Sequence, residues 1–319
     1  MQTRRLGNTE LDFTTIGLGT WAIGGEKWKF GWGPQNPSEA VDGILAGLEL
    51  GINWIDTAPV YGDGESENLV GQVLKQTARN DVLVATKCSR KVLPDGSVTG
   101  ILDARSVQAE CEQSLKRLGV ETIDLYQMHW PEPDNQIEEG WAKMIDLKQA
   151  GKVRAIGVSN FNIAQMERLD AMHPVASLQP PYNMLQREAE EELLPYCKAH
   201  QMGIVCYSPL AKGLLTGAMT QERAAALDPT DHRSRDARFA SPQIESHLQV
   251  VNRLQSIAKR TSHTVAELAI AWTLRRTEIT SAIVGVRNKA QIHGTYAAAD
   301  WQLTSEEIAE IEKFNFFAA

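Results

Sequence analysis

Cysteine is scarce in this chain. Cys88, Cys111, Cys197 and Cys206 are spread over 319 positions, and no two form a C-x-x-C pair. That spacing argues against a disulfide framework or a paired-cysteine zinc motif and fits thiols kept reduced in a cytoplasm. An excess of positive charge is also missing: 32 Lys and Arg stand against 40 Asp and Glu, a formal net charge of -8. Such a balance suits neither nucleic acid nor an anionic membrane. Long apolar runs are lacking too. The longest are strand-sized, and the opening stretch MQTRRLGNTE has no apolar core of the signal-peptide kind. The expectation is a cytoplasmic protein with no membrane or nucleic-acid partner.

What the chain does have is a rhythm. Short apolar runs at 16–19, 53–56, 82–86, 124–128, 155–158, 177–179, 203–207 and 281–284 read as buried strands. Between them lie segments with helical spacing and polar starts. NPSEAVDGILAGLELG offers Asn36 as a cap, Pro37 at the first helical position and Gly51 at the stop. RSVQAECEQSLKRLGV puts Val107, Cys111, Leu115 and Leu118 on one stripe and stops at Gly119. TVAELAIAWTLRR turns Val265, Leu268, Ala269 and Trp272 inward. Eight strand–helix units, each strand apolar on both faces, predict an α/β fold with an all-parallel sheet. Equal units favour a closed (β/α)8 TIM barrel over an open doubly wound sheet, with residues 1–319 as a single domain. Two pieces break the rhythm. MQTRRLGNTELDFT alternates around a Gly-Asn turn and reads as an N-terminal β-hairpin capping the barrel floor. After strand seven, 214–246 is a long polar loop rich in Arg and Asp, the kind that serves as a lid or binding loop.

Gly17-Leu18-Gly19-Thr20-Trp21-Ala22 formally matches the dinucleotide fingerprint G-x-G-x-x-A. That motif needs a helix to follow at once, so that a pyrophosphate sits on its N-terminus. Here the Gly- and Trp-rich IGGEKWKFGWGPQNP follows, and no helix can begin before about Asn36. The segment is a strand entering a tight loop.

In a barrel of this kind, polar residues at the C-terminal strand ends converge on one mouth. Strand two ends in Asp56, with Tyr61 in its Pro- and Gly-containing loop. Strand three delivers Lys87, and strand four, IDLYQMHWP, delivers His129. Each has a plain structural reading alone: a turn cap, a loop aromatic, a lysine reaching solvent, a satisfied core histidine. Together they are harder to explain that way. A lysine pointing into a barrel mouth needs a counter-charge, and Asp56 is the adjacent candidate. The ammonium is then expected to lower the pKa of the phenol and tune it for proton transfer. One His, with no further ligand at metal spacing, gives no reason to expect a metal.

At this point the chain resembles the aldo-keto reductase superfamily over essentially its whole length. DTAPVYGDGESENLVG, TKC, YQMHWPEP, AIGVSNF, LQPPYN, CYSPLAKGLLTG and IVGVRNKAQ carry the resemblance, in order and in their expected strand contexts. The branch it looks most similar to is the bacterial general-stress-type reductases, which are related to potassium-channel β-subunits. The resemblance implies that Tyr61 is the general acid, tuned by Lys87 and Asp56, and that His129 orients the carbonyl oxygen. It implies NADP(H), with NAD as the less favoured option, and a nicotinamide stacked on Tyr207 with its carboxamide held by Ser159, Asn160 and Gln179. Gly19, Thr20, Trp21 and Asp56 would stand beside the cofactor. Its phosphates would lie along Ser208, Leu210, Lys212 and Gly213, and Gly285, Arg287 and Gln291 would meet its adenosine end, with Arg287 gripping a 2′-phosphate. Related reductases often continue with an acid and an amide at the adenine; here Gly294 and Thr295 hold those positions. Trp21, Trp28, Trp32 and Trp130 are expected to line an aromatic cleft for a small carbonyl, alcohol or sugar. An aldose 1-dehydrogenase and an NADPH-sensing binding subunit are the other functions the resemblance leaves open.

Overall fold

The structure is a computed structural model and describes residues 1–77 and 82–314. The chain opens with an antiparallel hairpin of β1 (Thr3–Arg5) and β2 (Asp12–Thr14). It continues through β3 (Ile16–Gly19), β4 (Trp54–Asp56) and β5 (Leu83–Cys88). A second hairpin follows, β6 (Arg90–Val92) with β7 (Val98–Gly100). The remaining strands are β8 (Ile123–Met128), β9 (Val153–Ser159), β10 (Ser177–Gln179), β11 (Gly203–Tyr207) and β12 (Ser281–Gly285). Strands β3, β4, β5, β8, β9, β10, β11 and β12 pair in parallel, in that order, and β12 closes back onto β3. The predicted (β/α)8 barrel is therefore the fold. Two strands run further than their apolar residues suggest: β5 continues to Cys88 and β9 to Ser159. Lys87 pairs with Gln127 and Ser159 with Gln179 inside the sheet, so neither stands past it.

The local signals act as physical chemistry requires. Asn36 accepts from the Ser38 amide at 3.0 Å and starts the helix Pro37–Glu49. Asp103 caps Ala104–Leu118 in the same way, and Gly119 ends it at φ 69°. The helix Val265–Leu274 departs from the expected one-sided pattern: all ten of its residues are buried. It is enclosed by the helix Gln243–Arg260 and by turns at Ala211–Thr216 and Tyr296–Ala299.

The segment after β11 is also more ordered than an unstructured loop. It forms the short helix Gln221–Ala225 and turns at His232–Arg235 and Ala237–Phe239, and from Gln243 it is already the next helix. Its Asp/Arg alternation has a local cause. Asp231 and Asp236 each accept from the backbone amide two residues on and pair with that residue's guanidinium, Arg233 and Arg238.

One apolar cluster fills the space between strands and helices; a second lies inside the barrel. In the second, Leu6, Leu11 and Phe13 of the N-terminal hairpin meet Trp54, Leu125 and Val205, so the hairpin does plug the floor. Phe13 stacks on Trp54 with centroids 4.5 Å apart, and the indole N–H donates to Ser281 Oγ at 3.0 Å. A glycine makes room for that indole: a Cβ on Gly17 would lie 2.0 Å from Trp54 Cε2. Overpacking of this sort costs about 1–3 kcal/mol or more, so Gly17→Ala should lower the thermal midpoint. Adding Trp54→Phe, which removes the clashing edge, should return part of the loss. Simple addition of the two losses in the double variant would show that Gly17 is not holding space for the indole.

Candidate active site

Lys87 is the centre of the constellation. It projects from β5 into the barrel and is fully buried, where an ammonium must find an acceptor for each of its three hydrogens. Asp56 at the end of β4 supplies both oxygens at 2.8 Å, and the Thr57 carbonyl accepts at 2.9 Å. The register that sets Asp56 beside Ala85 brings the two side chains together. The Tyr61 hydroxyl lies 3.4 Å from the same ammonium. Tyr61 sits in the loop after β4, and Gly62 behind it is needed because a Cβ there would fall 2.0 Å from Gly24 O. His129, just past β8, stands edge-on to Tyr61 with centroids 5.6 Å apart. The four residues expected to meet do meet.

The electrostatics correct one expectation. The phenol is not brought below its ordinary pKa. Burial, then Asp56 and then Tyr207, hold the Tyr61 hydroxyl well above its ordinary value. The reason is that Asp56 neutralises the ammonium, so desolvation governs the phenol. Burial also lowers the Lys87 pKa, against the pull of Asp56. His129 is held well below the usual histidine value by burial, then by Lys87 and Arg90, so its ring is neutral. Its Nδ1 is buried and has no partner among the described residues.

Around this centre runs a second ring of hydrogen bonds. Gln179 Nε2 donates to Asp56 Oδ1 at 2.9 Å and to Gln127 Oε1 at 3.1 Å. Ser159 Oγ donates to Gln179 O at 2.9 Å. Asn160, at φ 62°, donates to His129 O and Ser159 Oγ and accepts from Tyr207 OH at 2.8 Å. Thr20 gives both its amide and its hydroxyl to Asp56 O. It is fully buried there, so it ties β3 to β4 and is not a free ligand group.

Past β11 the backbone is in a left-handed conformation at Ser208 (φ 56°), Ala211 (φ 46°), Lys212 (φ 56°) and Gly213 (φ 100°). Non-glycine residues persist in such conformations where function fixes them, and successive amides so arranged form anion-binding concavities. Leu210 packs partly into the core beneath this turn. Lys212 pairs with Asp236 at 3.2 Å and lies 5.6 Å above the Trp21 ring. Gly285 at the end of β12 is exposed. Arg287 is tied into the protein through three of its five side-chain N–H groups: it donates to Gln35 Oε1 at 2.7 Å, to Trp32 O at 3.0 Å and to Pro34 O, and its amide donates to Gln291 Oε1. The Thr295 hydroxyl turns back onto Gln291 O at 3.1 Å.

The tryptophans separate. Trp28 is buried 6.0 Å from Tyr61, and Trp21 stacks at 6.5 Å from the same ring. Trp32 stands edge-on to Trp21 at 5.3 Å. Trp130 is exposed and lies under Arg90 on the rim, with no ring contact to the other three among the described residues. Sequence reasoning missed His232, which stacks on Trp21 at 4.9 Å, and Arg233, which covers Trp32 at 4.5 Å. Both come from the long segment after β11, where only an Asp/Arg pattern was visible. It also missed Gln127, although a glutamine two positions before His129 in an apolar strand was a signal.

These donors fit a nicotinamide dinucleotide: an aromatic face at Tyr207, amide and hydroxyl groups beside it, and an anion-binding turn with a lysine. No group of three metal-ligating side chains occurs among the described residues, and none of their helices is long and apolar enough to cross a membrane.

A closed parallel barrel with titratable groups gathered at its C-terminal mouth is the architecture of a barrel enzyme. A match to the aldo/keto reductase family spans residues 15–315. The chain is 41% identical over 313 residues to the aldo-keto reductase YhdN of Bacillus subtilis (strain 168), covering 98% of this chain and 92% of that one. It is 34% identical over 315 residues to the NADH-specific methylglyoxal reductase of Escherichia coli (strain K12), covering 95% and 94%. Among solved structures, the glycerol dehydrogenase AKR11B4 from Gluconobacter oxydans superposes with a TM-score of 0.87 at 36% identity, covering 97% and 94%. The chain belongs to the aldo/keto reductase family and is an oxidoreductase that works with a nicotinamide cofactor.

The buried pair can be tested without any substrate. Removing one partner of such a pair costs about 3–5 kcal/mol, because the other charge is left uncompensated. Asp56→Asn should therefore lower stability sharply in thermal or denaturant unfolding, and adding Lys87→Met should restore part of it. A double variant no more stable than Asp56→Asn would show that the pair is not coupled.

Proposed function

We propose that the protein catalyses NADP(H)-dependent, reversible reduction of a small aldehyde or ketone, with Tyr61 as the proton donor. The observation that carries this reading is the Tyr61 hydroxyl, 3.4 Å from the buried Lys87 ammonium and beside a neutral His129. When bound, a dihydronicotinamide supplies the hydride for the carbonyl carbon. Tyr61, held protonated by burial, gives its proton to the carbonyl oxygen, and Lys87 faces the phenolate left behind. Neutral His129 hydrogen-bonds the same oxygen without a charge of its own. Tyr207, Ser159, Asn160 and Gln179 would hold the nicotinamide end. The turn from Ser208 to Gly213, with Lys212, would hold the phosphates, and Gly285, Arg287 and Gln291 the adenosine end.

Trp21, Trp28 and Trp32 give the substrate an apolar wall with polar edges. Trp28 Nε1, Trp32 Nε1 and His232 Nε2 are buried without a partner among the described residues. That favours a hydroxylated carbonyl or its polyol as a second substrate class, and the structural neighbour named above is itself a glycerol dehydrogenase. Four buried free cysteines suit a cytoplasmic location.

Tyr61→Phe keeps the ring and removes the proton. Cofactor titration should be unchanged, while turnover falls by about 10²- to 10⁴-fold, the usual contribution of general acid catalysis. The wild-type reduction rate should show no ionisation of either group between pH ~6.5 and ~10, their ordinary values. His129 is depressed, so it stays neutral above that window's lower edge; Tyr61 is raised, so it stays protonated up to the upper edge. Near-normal turnover in Tyr61→Phe would remove it from the reaction.

Cofactor choice rests on Arg287. Three of its five N–H groups are committed to Gln35, Trp32 and Pro34, which leaves two for a 2′-phosphate. A charged hydrogen bond is worth at least about 1.5 kcal/mol, or roughly tenfold in affinity. Arg287→Ala should weaken NADPH by about that factor, with NADH changed only by the loosening of residues 32–35. Equal losses for the two cofactors would show that Arg287 holds the loop and does not read the phosphate.

A further inference from the structure

Gln127 is a fully buried glutamine on β8, beside Lys87 on β5 and Gly157 on β9 in the ladder. A buried amide is costly unless its hydrogen bonds are made. Its amide nitrogen makes only long contacts, 3.4 Å to Ser177 Oγ and 3.5 Å to Val158 O. The Ser177 hydroxyl is accommodated because residue 157 is glycine; a Cβ there would lie 2.2 Å from Ser177 Oγ. The strongest bond of Gln127 is the one its carbonyl accepts from Gln179 Nε2, at 3.1 Å.

The direction of this chain of amides is set at both ends. Asp56 carboxylate can only accept, so the Gln179 nitrogen must face it, 2.9 Å away. The other hydrogen of that nitrogen then needs an acceptor, which turns the Gln127 carbonyl toward Gln179. The Gln127 nitrogen is left facing the carbonyl of Val158, again an acceptor only. Flipping Gln179 would set its carbonyl against the acceptors Asp56 and Gln127, and flipping Gln127 would set its nitrogen against the donor of Gln179 and its carbonyl against Val158 O. With both N–H groups of Gln179 committed, its side-chain carbonyl is all it has to offer a ligand.

We propose that Gln127 is a positioning residue for the cofactor: by accepting from Gln179 it locks that side chain so that its carbonyl, not its amide nitrogen, is presented to the carboxamide –NH2 of the nicotinamide. The proposal rests on the nicotinamide site described under Proposed function. Gln127 itself touches neither cofactor nor substrate. Losing its carbonyl frees one hydrogen of Gln179; the amide can then tilt with its other hydrogen still on Asp56 and present the freed donor to the donor of the carboxamide.

The test compares NADPH with its 3-acetylpyridine analogue, which has a methyl group where the carboxamide carries –NH2 and so cannot donate to Gln179. Binding of both is measured by fluorescence titration to the full chain. Gln127→Leu should weaken NADPH by about three- to tenfold, one net hydrogen bond, and leave the analogue at its wild-type affinity. Gln127→Glu keeps an acceptor at the same place, ionised or not, and should restore most of the NADPH affinity. A fall of equal size for both dinucleotides in Gln127→Leu means a merely structural role and overturns the proposal. So does an NADPH affinity that does not change. A wild-type protein that binds neither dinucleotide overturns the site reading, and this inference with it.

Discussion

A lysine ammonium with no route to water imposes conditions on everything around it. Lys87 needs a carboxylate, a third acceptor and walls that keep it dry, and those needs account for much of the barrel's upper half. Asp56 must end β4 at the level where Lys87 leaves β5, and the Gly19–Asp56 and Asp56–Ala85 register achieves this. The chain after Asp56 must turn so that the Thr57 carbonyl points inward; Thr20 supports that turn by giving two hydrogen bonds to Asp56 O. Asp56 also accepts from one N–H of Gln179, and the other N–H of Gln179 goes to Gln127. One buried charge thus organises side chains from five strands, β4, β5, β8, β9 and β10, and from Thr20 just past β3, because Ser159 on β9 in turn donates to Gln179 O.

The rim is built on another logic, of loops tied to loops. Residues 24–36 have little regular structure of their own, and they are held from three directions. His232 gives its amide to Gly31 O at 2.8 Å, and Arg235 reaches Lys29 O at 2.6 Å. The β6–β7 hairpin accepts from the Lys29 amide through Gly96 O. Arg287 holds residues 32–35 from the end of β12. In the proposed reaction these ties matter because Trp28 and Trp32 belong to that stretch and Trp21 donates to its Phe30 O at 3.0 Å. The substrate wall has the shape that segments distant in the sequence impose on it.

How far the sequence could be read follows from that division. The barrel and its titratable residues were legible because they depend on local signals: apolar runs, caps such as Asn36 and Asp103, and polar residues where a strand stops. Each is a property of a few neighbouring positions. The full burial of the helix Val265–Leu274 was not legible, since it depends on what packs around it. The partners of Arg287 were hidden for the same reason; a charged residue after β12 gives no sign in the sequence that residues 32–35 accept three of its hydrogen bonds. Gln127 is an intermediate case. Its polarity in the strand IDLYQM was visible, but its partner lies 52 positions away. The phenol failed differently. The neighbours were predicted correctly and the sign was wrong, because the ammonium that should have acidified Tyr61 was already neutralised by the aspartate needed to hold it.

That sign has a consequence for the direction of the chemistry. With the pair balanced, the proposed acid and the neutral histidine together form a site of donors without net charge. Such a site accommodates a neutral carbonyl with little electrostatic preference and responds when charge develops on its oxygen. As the proton leaves Tyr61, the phenolate becomes the nearest new anion to Lys87, and an ammonium shared between two anions costs less than a phenolate alone in a dry site. The raised pKa of the resting phenol is then no obstacle to reduction, because the acceptor is an alkoxide and far more basic than the phenolate. The reverse reaction must begin from that phenolate, which burial disfavours at neutral pH. In the proposed site, oxidation therefore gains as pH rises toward the ionisation of Tyr61, while reduction starts from the phenol that burial already holds protonated.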